Sequence, residues 1–138
     1  MDEIKYRRPI TCYLYLVSLA LLLHACNSDL TVNLGDGYFY RYEGNSLRDI
    51  HCERARGGEI PATVLAYDYD DDFIIAKQVP NLEQDPLYDI EYQYERGTGV
   101  FYYWLIVKDG DLVFGPMGIG MFDELRVKFD VPNSLTLE

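Results

Sequence analysis

From Tyr38 onward the chain reads as short runs of alternating apolar and polar residues, separated by turn-forming clusters. Tyr38, Tyr40 and Tyr42 recur at every second position, the period of a strand with one face inward. Residues 47–53 predict a second, weaker strand, because Arg48, Asp49 and His51 interrupt its apolar character. Residues 62–69 and 73–79 predict two more, joined as a hairpin by Asp70-Asp71-Asp72. In residues 88–95 the alternation is clearest: Tyr88, Ile90, Tyr92 and Tyr94 against Asp89, Glu91, Gln93 and Glu95. Residues 100–108 (VFYYWLIVK) are apolar almost throughout, as a central strand buried on both faces would be. Asp109-Gly110 then returns the chain through residues 112–115. Met121, Phe122, Leu125 and Phe129 share one helical face, with Asp123 and Glu124 early, Arg126 and Lys128 late, and Pro132 as the stop. The expected class is α+β: a mainly antiparallel, meander-like sheet of five to seven strands with one short C-terminal helix packed on it. A small β-barrel is the alternative closure of the same strands.

The N-terminus has a different texture. Lys5, Arg7 and Arg8 precede residues 10–23, which are almost wholly apolar. That run predicts a signal helix and is too short for the roughly 20 residues a membrane-spanning helix needs. It ends in Leu23-His24-Ala25-Cys26, which looks like the lipobox of a bacterial lipoprotein. Leu23 stands three positions before the cysteine and the small Ala25 directly before it. His24 departs from the pattern, which prefers a small or hydroxylated residue there. A retained anchor and a buried domain helix are the competing readings; apolar residues all round the helix count against the second. The expected organisation is a signal peptide at 1–25 cleaved between Ala25 and Cys26, a lipidated tether at 26–36, and one α+β domain at 37–138. Each buried methylene of a lipid contributes about 0.8 kcal/mol, so several acyl chains on Cys26 would hold the protein firmly. The expected location is the bacterial envelope, facing the periplasm or the cell exterior.

Charge narrows the partners. The chain carries 12 Lys+Arg against 23 Asp+Glu, a net charge of −11. Losing Lys5, Arg7 and Arg8 with the leader makes the remainder more acidic still. Nucleic acid is therefore excluded as a partner, and an acidic face suits a basic one. After processing, Cys52 is the one cysteine left unmodified, so no intramolecular disulfide forms and no multi-cysteine zinc site exists.

Candidate chemistry is sparse. Read as a calcium-binding EF-hand loop, Asp68, Asp70 and Asp72 occupy positions 1, 3 and 5. Phe73 then falls where the loop needs Gly, and Val79 where it needs a bidentate Glu, so the motif fails. A looser cation site at Asp68, Asp70, Asp71 and Asp72 is set against a plain solvated turn. His51 and Cys52 are neighbours on a strand, so their side chains point to opposite faces and cannot act as a pair. Of thirteen tyrosines, only Tyr6, Tyr13 and Tyr15 precede Cys26. Such rings either form a sheet face or serve a binding surface, and Tyr38, Tyr40 and Tyr42 are the candidates for exposure.

The lipobox, Gly37-Tyr38, Asp71-Asp72-Phe73-Ile74-Ile75-Ala76-Lys77-Gln78, Tyr103-Trp104, Gly115-Pro116 and the helix around Phe122 follow in order. In these the chain resembles an uncharacterised family of small bacterial lipoproteins, a domain of unknown function. The resemblance implies an address and a lipidated Cys26, with no activity attached. The expected function is non-catalytic: binding or accessory work at the envelope, through a protein partner, with membrane contact through the lipid. Carbohydrate binding through exposed rings is the second expectation and an enzyme of unrecognised type the third. No cofactor is expected.

Overall fold

The computed structural model describes residues 29–44, 47–54, 59–83, 88 and 90–138. The leader, Ala25, Cys26 and the first tether residues lie outside them. The remainder of the expected tether is not a tether: Leu30–Gly35 forms strand β1, antiparallel to β2 at Tyr38–Glu43. Leu30, Val32 and Leu34 alternate with Thr31 and Asn33, which lie on the outer face of the sheet opposite Arg41 and Phe39. On the inner face Leu34 is buried and Val32 packs against the core.

β2 pairs in turn with β3 (Leu47–Cys52), completing a three-stranded sheet in the order β1-β2-β3. A second antiparallel sheet runs β4 (Val64–Tyr69), β5 (Phe73–Gln78), β6 (Tyr102–Val107) and β7 (Leu112–Met117). Helix α1 spans Ile119–Lys128. The strands thus divide between two open sheets of three and four instead of forming one meander, and they do not close into a barrel.

Alternation along the strands decides the layering. On β5, Ile74 and Ala76 enter the core between the sheets, while Ile75 faces the helix side. On β6, Trp104 and Ile106 join the first core and Leu105 the second. The four-stranded sheet is therefore the middle layer, with β6 an inner strand buried on both faces as its apolar run predicts. The first core also takes in Leu34, Tyr38, Ile50 and Val64; the second sets Met117 against Phe122, Val131 and Leu135.

Helix α1 buries Phe122 and half-buries Leu125 and Phe129, but Met121 is exposed. It begins at Ile119, so Asp123 and Glu124 fall beyond a first turn that holds no acid. Only Arg126 and Lys128 stand where the helix dipole favours them.

Residues 88–95 are the main correction to the predicted elements. Tyr92 and Tyr94 turn inward while Glu91, Gln93 and Glu95 turn outward, as the alternation predicts, yet the described residues of this segment join no strand ladder. Its described residues form a strap held to the sheets by side-chain contacts. The Tyr92 ring meets Trp104 edge-on at 5.0 Å, and the Tyr94 hydroxyl lies 3.2 Å from Nε2 of Gln78. Ile90, expected inside, is 40% exposed.

β7 passes over Trp104 at Gly115, where φ is +141° and an added Cβ would lie 2.5 Å from the indole. Gly115→Ala is expected to cost about 2 kcal/mol in urea unfolding, through overpacking against a ring that cannot retreat. Unchanged stability would contradict this packing.

Candidate functional site

On the outer face of β2 and β3, Phe39 lies opposite His51 and Arg41 opposite Asp49. Outer faces of antiparallel sheets commonly meet water. Here Glu59, Ala62 and Tyr88 close over the polar pair from outside the sheet. Asp49 is completely buried. Its Oδ1 accepts from Nε of Arg41 at 3.1 Å, and its Oδ2 from Nη2 of Arg41 at 2.8 Å. The same Oδ2 accepts from the Tyr88 hydroxyl at 2.7 Å and lies 2.9 Å from Nε2 of His51. Burial opposes the charge, but the hydrogen bonds from His51, Arg41 and Tyr88 outweigh it and hold Asp49 below the usual carboxylate range.

His51 stacks on Phe39 and on Tyr88, with ring centroids 5.6 and 5.9 Å away. Its Nδ1 lies 3.2 Å from Oε1 of Glu59. Nη2 of Arg41 is 2.7 Å from Nε2 and donates to it when that nitrogen carries no proton; when it is protonated, the shared Oδ2 of Asp49 offsets the repulsion. Burial works against the imidazolium, yet the hydrogen bond and charge of Asp49, with the charge of Glu59, exceed this and the repulsion from Arg41, and raise the His51 pKa. Burial and the bond to Asp49 keep Tyr88 a neutral phenol, while its oxygen accepts from the Ala62 amide at 3.0 Å.

A histidine held by an aspartate is part of a nucleophile-activating relay, but the relay also needs a free ring nitrogen beside a nucleophile. Nδ1 is occupied by Glu59. Cys52 lies on the opposite face of β3, buried with Tyr38 in the first core. Beside Phe39 on the same outer face, Thr31, Asn33, Asp36 and Glu53 line an open depression.

The tyrosines expected as an exposed platform are elsewhere. Tyr38 is 0% exposed, and its hydroxyl donates to Asp111 at 3.2 Å. Tyr40 stacks on Tyr67 at 4.5 Å, and Arg48 lies over the Tyr42 ring at 5.3 Å. All three face inward, because the pleat places them with Ile50 and Cys52. The acidic cluster is used internally. Oδ1 of Asp70 accepts from the amides of Asp72 and Phe73, closing the β4–β5 turn, and Oδ2 of Asp68 accepts from Thr136. Asp71 and Asp72 are exposed, and among the described residues no three His, Cys, Asp or Glu side chains converge as a metal site.

A family model matches residues 38–138, from β2 to the C-terminus. The chain belongs to that family, described as Protein of unknown function (DUF3997). No curated protein and no solved structure matches the chain. The DUF3997 span contains all five cluster residues, Arg41, Asp49, His51, Glu59 and Tyr88, and leaves β1 outside. Three of them, Arg41, Glu59 and Tyr88, escape a reading of the sequence. The available signal is Asp49 and His51 two apart on a strand, hence on one face, with Arg41 on the neighbouring strand.

Because the folded pKa of Asp49 is depressed, its contribution is fully present above the ordinary value of about 4 and disappears as pH falls through the lower folded value. Asp49→Asn is expected to cost about 3 kcal/mol near neutral pH and to flatten the acid limb of the stability profile, read by urea unfolding at a series of pH values. An acid limb identical to the parent's would contradict an ionised Asp49.

Proposed function

We propose that the protein is a lipid-anchored component of the bacterial envelope with a non-catalytic, accessory role, exercised by binding a protein partner. The anchor rests on Leu23-His24-Ala25-Cys26 after a short apolar run with a basic start. Only Asn27, Ser28 and Asp29 separate Cys26 from β1, a spacing that would hold the first sheet close to the membrane surface. Among the described residues no helix is long and apolar enough to cross a membrane.

The observation that carries the binding reading is the depression beside Phe39, where a ring adjoins the carboxylates of Asp36 and Glu53. A ring with carboxylates around it suits an ammonium or guanidinium group. An acidic chain also raises the local concentration of cations. A basic side chain on a protein partner fits both. Engagement of both ring nitrogens of His51 counts against catalysis. Burial of Tyr38 and the ring and cation contacts of Tyr40 and Tyr42 count against a sugar platform at those positions.

Two measurements separate the parts of this reading. Cys26→Ser should abolish incorporation of labelled fatty acid and release the protein from membranes; labelling equal to the parent would remove the anchor. A Lys/Arg-rich peptide titrated against the parent chain should bind, and Phe39→Leu with Glu53→Gln should weaken it about tenfold. Equal binding by parent and double variant would remove the depression as the docking site.

A further inference from the structure

Four stretches of the chain meet at His51, β2 among them through Arg41. β3 supplies Asp49 and the histidine, the segment before β4 supplies Glu59, and the strap supplies Tyr88. Four residues along the strap, the Tyr92 hydroxyl donates to the carbonyl of Glu59 at 3.1 Å. With no ladder to hold it, the strap grips the first sheet and its adjoining segment through these two hydroxyls. Both end on residues whose carboxylates His51 touches.

A neutral imidazole carries one N–H, and an imidazolium carries two. In this site each ring nitrogen faces a carboxylate oxygen, Asp49 at 2.9 Å and Glu59 at 3.2 Å. With its one proton on Nε2, a neutral ring sets the Nδ1 lone pair against Glu59. With the proton on Nδ1, it donates to Glu59 and its Nε2 accepts from Nη2 of Arg41 at 2.7 Å, but Asp49 loses the imidazole as a donor. Only the doubly protonated ring donates to both. The charged groups facing it are Asp49 from β3, Arg41 from β2 and Glu59 from the loop, two negative against one positive; the strap contributes the neutral phenol of Tyr88. Glu43 stands behind Arg41 at 3.6 Å and adds negative charge to the same side.

We propose that His51 is a proton-operated clasp, its imidazolium holding Glu59 and the strap closed over the outer face of β2 and β3. Loss of the proton removes the ring's charge and one of the two N–H donors that hold the carboxylates, and so loosens the cover. A raised folded pKa makes this contribution fully present below the ordinary value of about 6.5 and lost as pH rises through the folded value. The strap is therefore closed in mild acid and loosens toward alkaline pH. The clasp depends neither on the lipid nor on a partner.

The test is amide hydrogen exchange on the full-length chain between about pH 5 and 8.5, with each rate normalised to its intrinsic value. Protection of the amides of Ala62, Arg96 and Gly97 should fall roughly tenfold across the titration, relative to amides of β5 and β6. In His51→Gln that step should vanish, and in Tyr88→Phe the strap should exchange fast at every pH. Should either variant fail to fold, the His51 C2 proton resonance of the parent carries the test. It should titrate above the ordinary histidine value, and closer to it in Glu59→Gln. Strap protection that stays level with β5 and β6 in the parent, a pH step that persists in His51→Gln, or a parent His51 that titrates at or below the ordinary value would each overturn the clasp.

Discussion

The carboxylate of Asp49 has no contact with water, and the arrangement of the first sheet follows from keeping it charged. An ion of that size costs several kcal/mol to bury unless donors replace its hydration. Arg41 supplies two from the neighbouring strand, His51 is set to supply one from the same face of β3, and Tyr88 supplies one from the strap. No single stretch of chain could satisfy it. The outer face of β2 and β3 is consequently covered by residues from two further segments, the one before β4 and the strap, and a three-stranded sheet with a polar exterior becomes a covered site.

The inner faces are fixed by a different device, polar groups that cross between layers and find partners there. Nζ of Lys108, at the end of β6, donates to the carbonyls of Leu34 in β1 and Asp70 in the β4–β5 turn, joining the two sheets. Tyr38 and Arg54 both donate to Asp111 at the β6–β7 turn. Inside, the Trp104 indole donates to Oε1 of Gln78 at 2.7 Å while Nε2 of Gln78 donates to the Pro61 carbonyl at 2.9 Å. The buried donors of Lys108, Trp104 and Gln78, costly alone, are thereby satisfied. The middle sheet and its helix form the frame, and the strap with its charged anchor is the part that pH can reach.

What the sequence reveals and hides follows from where the causes lie. β2 is legible from its alternation, and β4, β5 and β6 from apolar runs between turn signals, because each pattern coincides with a real hydrogen-bonded neighbour. The strap has the same alternation, since any extended backbone turns successive side chains to opposite sides, but pattern alone does not say whether a neighbour exists. β1 carries the period in Leu30, Val32 and Leu34, but it is short, follows the polar stretch after Cys26 and ends in Gly35, so it reads as part of a tether until its pairing with β2 is seen. Pro116 similarly ends β7 early on paper, although an edge strand tolerates a missing donor. The site is the least legible part. Asp49 and His51 look like flaws in a weak strand, and the residues that give them meaning, Glu59 and Tyr88, lie in other segments.

Membership of DUF3997 places the cluster within a family span without assigning it work. The account rests on the cluster being an ion network with His51 doubly protonated between Asp49 and Glu59. Nitrogen-15 resonances of the His51 ring in mildly acidic solution test this most directly. Both ring nitrogens should show the shifts of protonated, hydrogen-bonded imidazolium. A neutral ring, with one nitrogen protonated and the other bearing a lone pair, would contradict it.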